Sequence, residues 1–433
     1  MNIAVVGVGY VGLTAGTCLA ESGNQVVGID VDREKIAKLN QGELPIYEPG
    51  LSELMENNLR SGRLEFSTDL VRAIHTSQII FIAVGTPQGP DDLPMIDQVE
   101  TIARQVVEQM PDYRLIVIKS TVPVGTTVRL EKELSLLTET PFDIASNPEF
   151  MKEGYAVEDF LRPDRVIIGS ENPRVIAVLE ELYLPFVRNG KPIIVMDPTS
   201  SEMTKYAANA MLSTKISFIN ELANLCDRMG GDIDLVRRGI CSDSRIGYQF
   251  LYPGLGFGGS CFPKDLAALS KMAKLAGYPA PLLNAVLEVN RVQKQSLQRK
   301  ICDYYGDDLR NKIFAIWGVT FKPRTDDIRE SPALGLVADL LAAGARVRVS
   351  DPRGMDNLRK VFGNRVGYCV NMYDALAGAD GLCLVTEWNE FRNPDYKKML
   401  ELMRKAVIFD GRNVYNPIKT RSRGFDYFGI GRK

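Results

Sequence analysis

The N-terminal stretch MNIAVVGVGYVG constrains the fold of this chain more than any other feature. An apolar run, NIAVV, leads into glycines at positions 7, 9 and 12, and a helical pattern follows. In a dinucleotide-binding turn of this spacing, the first glycine allows the tight turn and the second lets the backbone approach a pyrophosphate. The third lets helix and strand pack closely. A glycine turn with a purely structural role is the alternative. The stretch has no basic leader, so it indicates a strand and not a signal peptide.

A second strand-like run, QVVGID, ends at Asp30, 18 residues after Gly12. A carboxylate in this place binds the ribose hydroxyls and repels a 2′-phosphate, which favours NAD over NADP. We therefore predict that NAD binds here, with Asp30 at the ribose. The predicted turn consists of Gly7, Gly9, Tyr10, Val11 and Gly12.

Alternation of strand-like and helical patterns predicts the fold class. Runs of the first kind are NIAVVG, QVVGID, QIIFIAVG, RLIVIKS, FDIAS and RVIIG, then KIFAIWGVTF, ARVRVSD, GLCLVT and AVIFDG. Between the two sets, SEMTKYAANAMLSTKISFINELANLCDRM has apolar residues at helical spacing. We predict an α/β protein with two Rossmann-like doubly wound domains joined by a long central helix. The predicted domains are 1–195 for NAD, 196–305 for the central helices with a cysteine loop, and 306–433 for a second, smaller α/β domain.

Composition excludes several classes of function. The 433 residues carry a net charge of −2, without the basic excess that nucleic acid or an anionic membrane attracts. No run of eighteen apolar residues occurs, which argues against a transmembrane helix. The seven cysteines are scattered without a CxxC pair, as expected for reduced thiols in a cytoplasmic protein. With His75 as the only histidine, we predict no metal site.

Two threonines follow strand-like runs, where a parallel sheet binds its ligands. They are Thr86 in AVGTP and Thr121 in KSTVPVGTT. The alternative is that each only caps the helix that follows. Taken together, they favour a functional role.

The stretch GFGGSCFPKD, residues 256–265, presents Cys261 among glycines. If a helix begins at the Cys-Phe-Pro step, Pro263 suits its first turn, and Lys264 or Asp265 lies on the side of the thiol. A helix N-terminus and an ammonium group both stabilise a thiolate, the nucleophilic form. A buried structural cysteine is the alternative.

Two further pairs are spaced four residues apart. Lys205 and Asn209, on the long helix, would stabilise an oxyanion if they face a shared cavity, whereas solvated side chains are the alternative. Glu149 and Glu153, in SNPEFMKEG, have the same spacing after a strand end, with a surface pair as the alternative.

NAD together with a nucleophilic cysteine indicates a particular chemistry. An aldehyde captured by the thiol can be oxidised to a thioester and hydrolysed. One site could then convert a primary alcohol to a carboxylate with two NAD.

Long blocks of the sequence resemble the UDP-glucose/GDP-mannose dehydrogenase family. They run in order along the chain: GVGYVGL, STVPVGTT, NPEFMKEG, KYAANAMLSTKISFINE, SRIGYQFLYPGLGFGGSCFPKD, GVTFKPRTDDIRESPA, DGRN and YFGIGR. The resemblance implies oxidation of UDP-glucose to UDP-glucuronate through Cys261, with UDP held by the last domain and a homodimer formed through the central helices. One departure is Phe257, where the family often has tyrosine.

The family also implies roles for residues. Cys261 would be the nucleophile, Lys205 and Asn209 would stabilise oxyanions, and Asp265 would assist proton transfer. Thr121 and Glu149 would position a water, while Glu153 would lie between cofactor and sugar. Implied NAD contacts are Asp30, Lys35, Thr86, Thr121, Glu153, Lys264 and Arg329. Implied substrate contacts are Glu149, Phe150, Met151, Lys152, Glu153, Lys205, Asn209, Phe250, Leu251, Tyr252, Pro253, Gly254, Gly258 and Lys322.

Three alternatives remain open at this point. GDP-mannose would undergo the same chemistry, but FLYPGLGFGGSCFPKD resembles the UDP-glucose branch. UDP-galactose or an N-acetylated hexosamine nucleotide fits less well. A silent NAD-binding regulator or redox sensor would need Cys261 only as an oxidisable thiol and would have no use for Lys205, Asn209 and Asp265.

Overall fold

The computed structural model describes residues 1–187 and 190–432. The chain divides into two compact units. Unit 1 comprises Met1–Ala208 with Lys271–Ala276, and unit 2 comprises Asn209–Ser270 with the chain from Gly277 onward. The predicted three-part division into 1–195, 196–305 and 306–433 stays a prediction.

Unit 1 is built on an eight-stranded sheet of strand order β3-β2-β1-β4-β5-β6-β7-β8. All neighbours are parallel except β6 and β7, which meet at one antiparallel pair, Ser146 and Gly169. The strands are β1 Asn2–Val6, β2 Gln25–Ile29, β3 Leu64–Ser67, β4 Ile79–Ile82, β5 Arg114–Ile118, β6 Phe142–Ser146, β7 Val166–Gly169 and β8 Ile193–Met196.

Both faces of this sheet are buried under helices. Ile3 and Val5 pack into one apolar cluster, and Ala4 and Val6 pack into another, because successive side chains point to opposite faces. The helices are α1 Tyr10–Glu21, α2 Arg33–Asn40, α3 Leu51–Arg60, α4 Leu70–Thr76, α5 Asp97–Gln109, α6 Thr126–Leu134, α7 Ala156–Leu161 and α8 Pro173–Tyr183.

Unit 2 contains a six-stranded sheet, all parallel, of order β11-β10-β9-β12-β13-β14. Ile313 and Trp317 pack on one face of β9, and Phe314 and Ile316 pack on the other. The strands are β9 Ile313–Trp317, β10 Arg346–Ser350, β11 Gly367–Tyr368, β12 Gly381–Leu384, β13 Val407–Asp410 and β14 Asp426–Phe428. In both sheets the strand order reverses beside the first strand, as in doubly wound folds.

The long central helix is α9, Pro198–Met229, and the boundary between the units falls within it. The predicted fold class is therefore confirmed. No helix within residues 1–187 and 190–432 is long and apolar enough to cross a membrane. The other helices are α10 Ile233–Cys241, α11 Phe262–Leu275, α12 Pro281–Gln293, α13 Ser296–Tyr305, α14 Pro332–Ala342, α15 Met355–Phe362, α16 Met372–Leu376, α17 Asn389–Arg392, α18 Tyr396–Leu402 and α19 Pro417–Ser422.

Candidate active site

The glycine turn after β1 lies where the strand order reverses, between β1 and β4. Gly7 has φ +94°, and a Cβ there would lie 2.7 Å from the Val84 backbone. A Cβ on Gly12 would lie 1.9 Å from the Gly7 carbonyl oxygen, whereas one on Gly9 would meet nothing within 4 Å. Packing thus requires glycine at positions 7 and 12, whereas Gly9 keeps the N-terminus of α1 open to a pyrophosphate.

Asp30 and Lys35 lie together at the end of β2. Asp32 caps α2 by accepting hydrogen bonds from the amides of Glu34 and Lys35, which places Lys35 in the first turn. The Lys35 Nζ then reaches Asp30 Oδ2 at 2.8 Å. Two predicted cofactor residues therefore form one ion pair at the end of β2.

The two predicted threonines also lie together. The Thr86 hydroxyl donates to the Thr121 carbonyl at 2.9 Å. Because α5 begins at Asp97 and α6 at Thr126, neither threonine caps the following helix, and the capping alternative is wrong. The pair instead joins the loops that follow β4 and β5.

Helix α9 fixes the loop that carries Thr121. The Tyr206 hydroxyl donates to the Val122 carbonyl at 3.0 Å. The Glu202 carboxylate accepts from the Gly125 amide at 2.5 Å and from the Thr127 amide and hydroxyl at 2.8 and 2.6 Å. Sequence reasoning missed Glu202, because only the fold brings this carboxylate to a helix N-terminus 75 residues away.

Glu149 and Lys205 form a buried ion pair in unit 1. The Lys205 Nζ lies 2.7 Å from Glu149 Oε1, and the two side chains are 5% and 8% exposed. Burial alone would raise the pKa of Glu149, but the Lys205 ammonium, the Met151 amide and the charge of Lys119 outweigh it and lower that pKa. Glu149 is therefore a buried carboxylate held next to a cation, and the alternative of a surface residue is wrong for it.

The segment from Glu149 to Glu153 is a loop between β6 and α7. Glu149 also accepts a hydrogen bond from the Met151 amide at 2.6 Å within this loop. The Phe150 ring lies close to two cations, with the Arg165 guanidinium carbon 3.7 Å and the Lys205 Nζ 5.5 Å from its centroid. Lys152 pairs with Asp159 at 2.6 Å.

In unit 2, Cys261 directly precedes α11, as predicted, and Pro263 lies in its first turn. The thiol is half-buried and its Sγ lies 3.6 Å from the Ser260 hydroxyl. The Cys261 carbonyl accepts from the Asp265 amide at 2.8 Å, so the first helical turn closes over this residue. The partial positive charge of the helix N-terminus thus lies at the thiol, where it favours the thiolate.

Asp265 connects three predicted site residues. It is 1% exposed, and its Oδ2 accepts from the Asn209 amide nitrogen at 2.7 Å. Its Oδ1 pairs with Lys264 Nζ, also at 2.7 Å. Asn209 is therefore not a solvated helix residue but is held by a buried carboxylate in the first turn of α11, the helix that follows Cys261.

The glycines before Cys261 are required by close packing. A Cβ on Gly258 would lie 2.3 Å from the Glu330 carbonyl oxygen, and one on Gly256 would lie 2.5 Å from Asn290 Oδ1. The Gly259 amide donates to the Arg329 carbonyl at 2.8 Å. The thiol loop is thus fixed by close contact with the FKPRTDDIRESPA segment, in which Arg329 and Glu330 lie.

Phe257 is buried and makes an edge contact with Phe262, with ring centroids 5.9 Å apart. It packs with Ala210, Leu266 and Val286. An apolar ring therefore suits this place.

A cavity of about 150 Å³ lies beside the predicted substrate loop in unit 2. Within the loop, Leu251 is buried, Tyr252 is exposed and Phe250 has φ +64°. The lining residues are Ile216, Asn220, Phe250, Tyr252, Gly254, Gly256 and Arg412. Arg412 was missed, although it stands in the DGRN block, and so was Asn220, whose side chain accepts from the Gly254 amide at 2.8 Å.

The remaining predicted residues also lie in unit 2. The Lys322 Nζ lies 5.4 Å from the centroid of the Phe321 ring. Arg329 is exposed and pairs with Asp327 at 2.7 Å. The NAD roles of Lys264 and Arg329 stay predictions, as does Lys322 as a substrate contact. Among residues 1–187 and 190–432, no group of three or more His, Cys, Asp or Glu side chains could hold a metal ion.

A doubly wound sheet with an open glycine turn and an acidic residue at the next strand end defines a dinucleotide-binding α/β protein. Three family models match the chain. They describe the NAD binding domain, central domain and UDP binding domain of the UDP-glucose/GDP-mannose dehydrogenase family, over residues 1–187, 199–292 and 315–417. The chain belongs to this family, as predicted, and is an NAD-dependent oxidoreductase.

Individual relatives agree with this assignment. A UDP-glucose 6-dehydrogenase of Pseudomonas aeruginosa is 45% identical, over 100% of this chain and 98% of the relative. A UDP-glucose dehydrogenase structure from Pyrobaculum islandicum has TM-score 0.92 and 37% identity, over 100% and 98% of the two chains. A UDP-D-ManNAc dehydrogenase structure from Pyrococcus horikoshii has TM-score 0.86 and 29% identity, over 100% and 99%.

Proposed function

We propose that this protein oxidises UDP-glucose to UDP-glucuronate in two NAD-dependent steps, with a covalent intermediate on Cys261. The observation that carries the proposal is the half-buried thiol at the N-terminus of α11, with Asp265 in the first turn tied to Asn209 and Lys264. A simple alcohol dehydrogenase has no use for such a thiol, whereas capture of an aldehyde requires a nucleophile.

The residues of the glycine turn fit the cofactor. Gly9 leaves the backbone of α1 accessible, and the Asp30 carboxylate stands at the end of the next strand. We assign the pyrophosphate to the amides of Tyr10 and Val11 and the ribose to Asp30, with Lys35 as its partner. NAD, when bound, supplies the hydride acceptor for each oxidation.

Unit 1 provides groups for the first proton transfer. A water held by Thr121 and Glu149 would accept the proton of the sugar hydroxyl, and the low pKa of Glu149 keeps that carboxylate ionised. The Lys205 ammonium would stabilise the negative charge on the substrate oxygen. Glu153 would lie between cofactor and sugar.

Unit 2 provides the covalent step. The Cys261 sulfur attacks the aldehyde carbon to form a thiohemiacetal, whose second oxidation gives a thioester. Water then cleaves the carbon–sulfur bond, releases the carboxylate and returns the thiol, with Asp265 moving the proton and Asn209 stabilising the oxyanion. In total, one alcohol, two NAD⁺ and one water give one carboxylate, two NADH and three protons.

Replacement of the nucleophile tests this chemistry. Cys261→Ser should abolish steady turnover with UDP-glucose, and mass spectrometry should find either unmodified protein or a stalled ester on residue 261. Cys302→Ser is the matched control, because this half-buried thiol lies on α13 and is placed in no step. Normal turnover by Cys261→Ser would refute the covalent role.

The choice of UDP-glucose is part of the proposal. Supporting it are the 45% identity to the Pseudomonas enzyme and the lower 29% identity to the UDP-D-ManNAc dehydrogenase. We expect kcat/KM for UDP-glucose to exceed that for GDP-mannose and for UDP-N-acetylmannosamine by more than a hundredfold. A higher value for either competitor would reassign the substrate.

We also propose a homodimer formed through the central helices. Four apolar side chains are exposed on one face of α9, at spacings of seven, seven and four residues: Met211, Phe218, Leu225 and Met229. Light scattering should give twice the monomer mass, and Phe218→Glu should lower it. A monomeric wild type would refute this.

We place the protein in the cytoplasm, where a catalytic thiol stays reduced.

A further inference from the structure

Glu48 is a buried carboxylate that the mechanism above does not use. It follows α2 in the loop before α3 and is 4% exposed. A buried carboxylate is costly unless its oxygens are hydrogen-bonded, so its partners show what it holds in place.

The partners of Glu48 come from two separate parts of the site. Its Oε2 accepts from the Tyr10 hydroxyl and from the Gly154 amide, the latter at 2.6 Å. Its Oε1 accepts from the Ala156 amide at 2.8 Å. The Gly154 amide also lies 2.9 Å from the Tyr10 oxygen. One carboxylate therefore joins the first residue of α1 to the loop that ends at α7.

Both ends of this connection adjoin functional residues. Tyr10 follows Gly9, where the backbone is open to a pyrophosphate. Gly154 follows Glu153 directly and has φ +79°, a conformation that needs glycine and fixes the direction of the chain there. Burial, the hydrogen bond and charge of Glu48 and, more weakly, the charge of Glu153 raise the pKa of the Tyr10 hydroxyl, so it remains a donor.

We propose that Glu48 and the Tyr10 hydroxyl are positioning residues that couple NAD binding at the glycine turn to the order of the Glu149–Gly154 loop. When the α1 N-terminus is held by a bound pyrophosphate, the tyrosine ring is held as well, and through Glu48 it stabilises the Gly154 and Ala156 amides. The inference rests on the proposed role of Glu153. Its test needs no sugar turnover.

Hydrogen exchange of the amides of residues 149–156, with and without saturating NAD, measures this coupling. In the wild type, NAD should slow exchange at Gly154 and Ala156 at least tenfold. In Tyr10→Phe, Glu48 keeps its bonds to both amides, so exchange without NAD should be near normal and slowing by NAD should fall below twofold. Glu48→Gln should exchange faster even without NAD.

Tyr113→Phe is the matched control. Tyr113 directly precedes β5, and its hydroxyl donates to Asp143 at 2.6 Å. Removing this hydroxyl should leave the wild-type response to NAD unchanged. Wild-type slowing in Tyr10→Phe, or no slowing in the wild type, would overturn the proposal. So would a more than hundredfold loss of NAD affinity in Tyr10→Phe, because the hydroxyl would then hold the cofactor itself.

If the exchange results are as expected but UDP-glucose is not oxidised, the coupling stands and the proposed substrate fails. The two inferences can thus be separated.

Discussion

Replacing Gly12 or Gly9 of the glycine turn by alanine should affect different properties. Gly12→Ala should lower the stability of the fold, whereas Gly9→Ala should lower the affinity for NAD. A Cβ on Gly12 would lie 1.9 Å from the Gly7 carbonyl oxygen, and ordinary contacts begin at 3.4 Å. The difference, 3.4 − 1.9, means that α1 and the turn must separate by about 1.5 Å. Because the backbone fixes the position of the Cβ and the Gly7 oxygen is itself a backbone atom, no flexible side chain can yield, and overpacking of this kind costs about 1–3 kcal/mol.

Gly9→Ala should leave the fold almost unchanged. Gly9 has φ −77°, which alanine adopts without strain, and its Cβ would meet nothing within 4 Å. The new methyl group would instead occupy the space into which the pyrophosphate must come. We expect the Kd for NAD to rise at least tenfold, which corresponds to about 1.4 kcal/mol.

Thermal unfolding without cofactor and calorimetric titration with NAD distinguish the two variants. For a unit of about 200 residues, a cost of about 1–3 kcal/mol lowers Tm by roughly 3–10 °C in Gly12→Ala. Gly9→Ala should keep Tm within about 2 °C while losing affinity. If Gly9→Ala binds NAD within twofold of the wild type, or if it unfolds like Gly12→Ala, the roles given to these two glycines are wrong.

Three further predictions concern the buried groups and the thiol loop. Lys205→Met leaves the Glu149 carboxylate buried without its cation, which should lower the free energy of unfolding by about 3–5 kcal/mol. Adding Glu149→Gln should restore much of the lost Tm. Additive losses of Tm in the double variant would show that the two charges do not interact. Gly258→Ala places a Cβ 2.3 Å from the Glu330 carbonyl oxygen, so kcat should fall more than tenfold with the Kd for NAD unchanged, and wild-type turnover would contradict the packing argument. Burial, partly offset by the charge of Glu149, lowers the pKa of Lys119 to about 8 from 10.5, so the unfolded chain keeps this proton to higher pH. The free energy of unfolding should then rise between pH 8 and 10.5 by about 3 kcal/mol more in the wild type than in Lys119→Met, and parallel profiles in denaturant titrations would contradict it.

The strands that the sequence predicted are the interior strands of the two sheets. The four that it missed, β3, β8, β11 and β14, are the edges. Interior strands are buried on both faces and read as apolar runs. Edge strands are short and half-exposed, as in β8 and β11, where no residue is fully buried, so their sequences resemble loops.

Local patterns predicted the glycine turn and the helix start after Cys261, because both depend on neighbours in the sequence. They could not show which distant side chains hold a loop in place. The Glu149–Gly154 loop is held by the side chains of Lys205 and Glu48. Glu48 and Glu202 accept from amides 106 and 75 residues away, a relation that no spacing reveals.

The proposed reaction is a four-electron oxidation through Cys261. It is tested most directly by the amount of NADH formed per UDP-glucose consumed to completion, with purified protein and excess NAD. We expect two NADH per sugar nucleotide. One NADH would mean that the reaction stops at the aldehyde, and the role proposed for Cys261 would be contradicted.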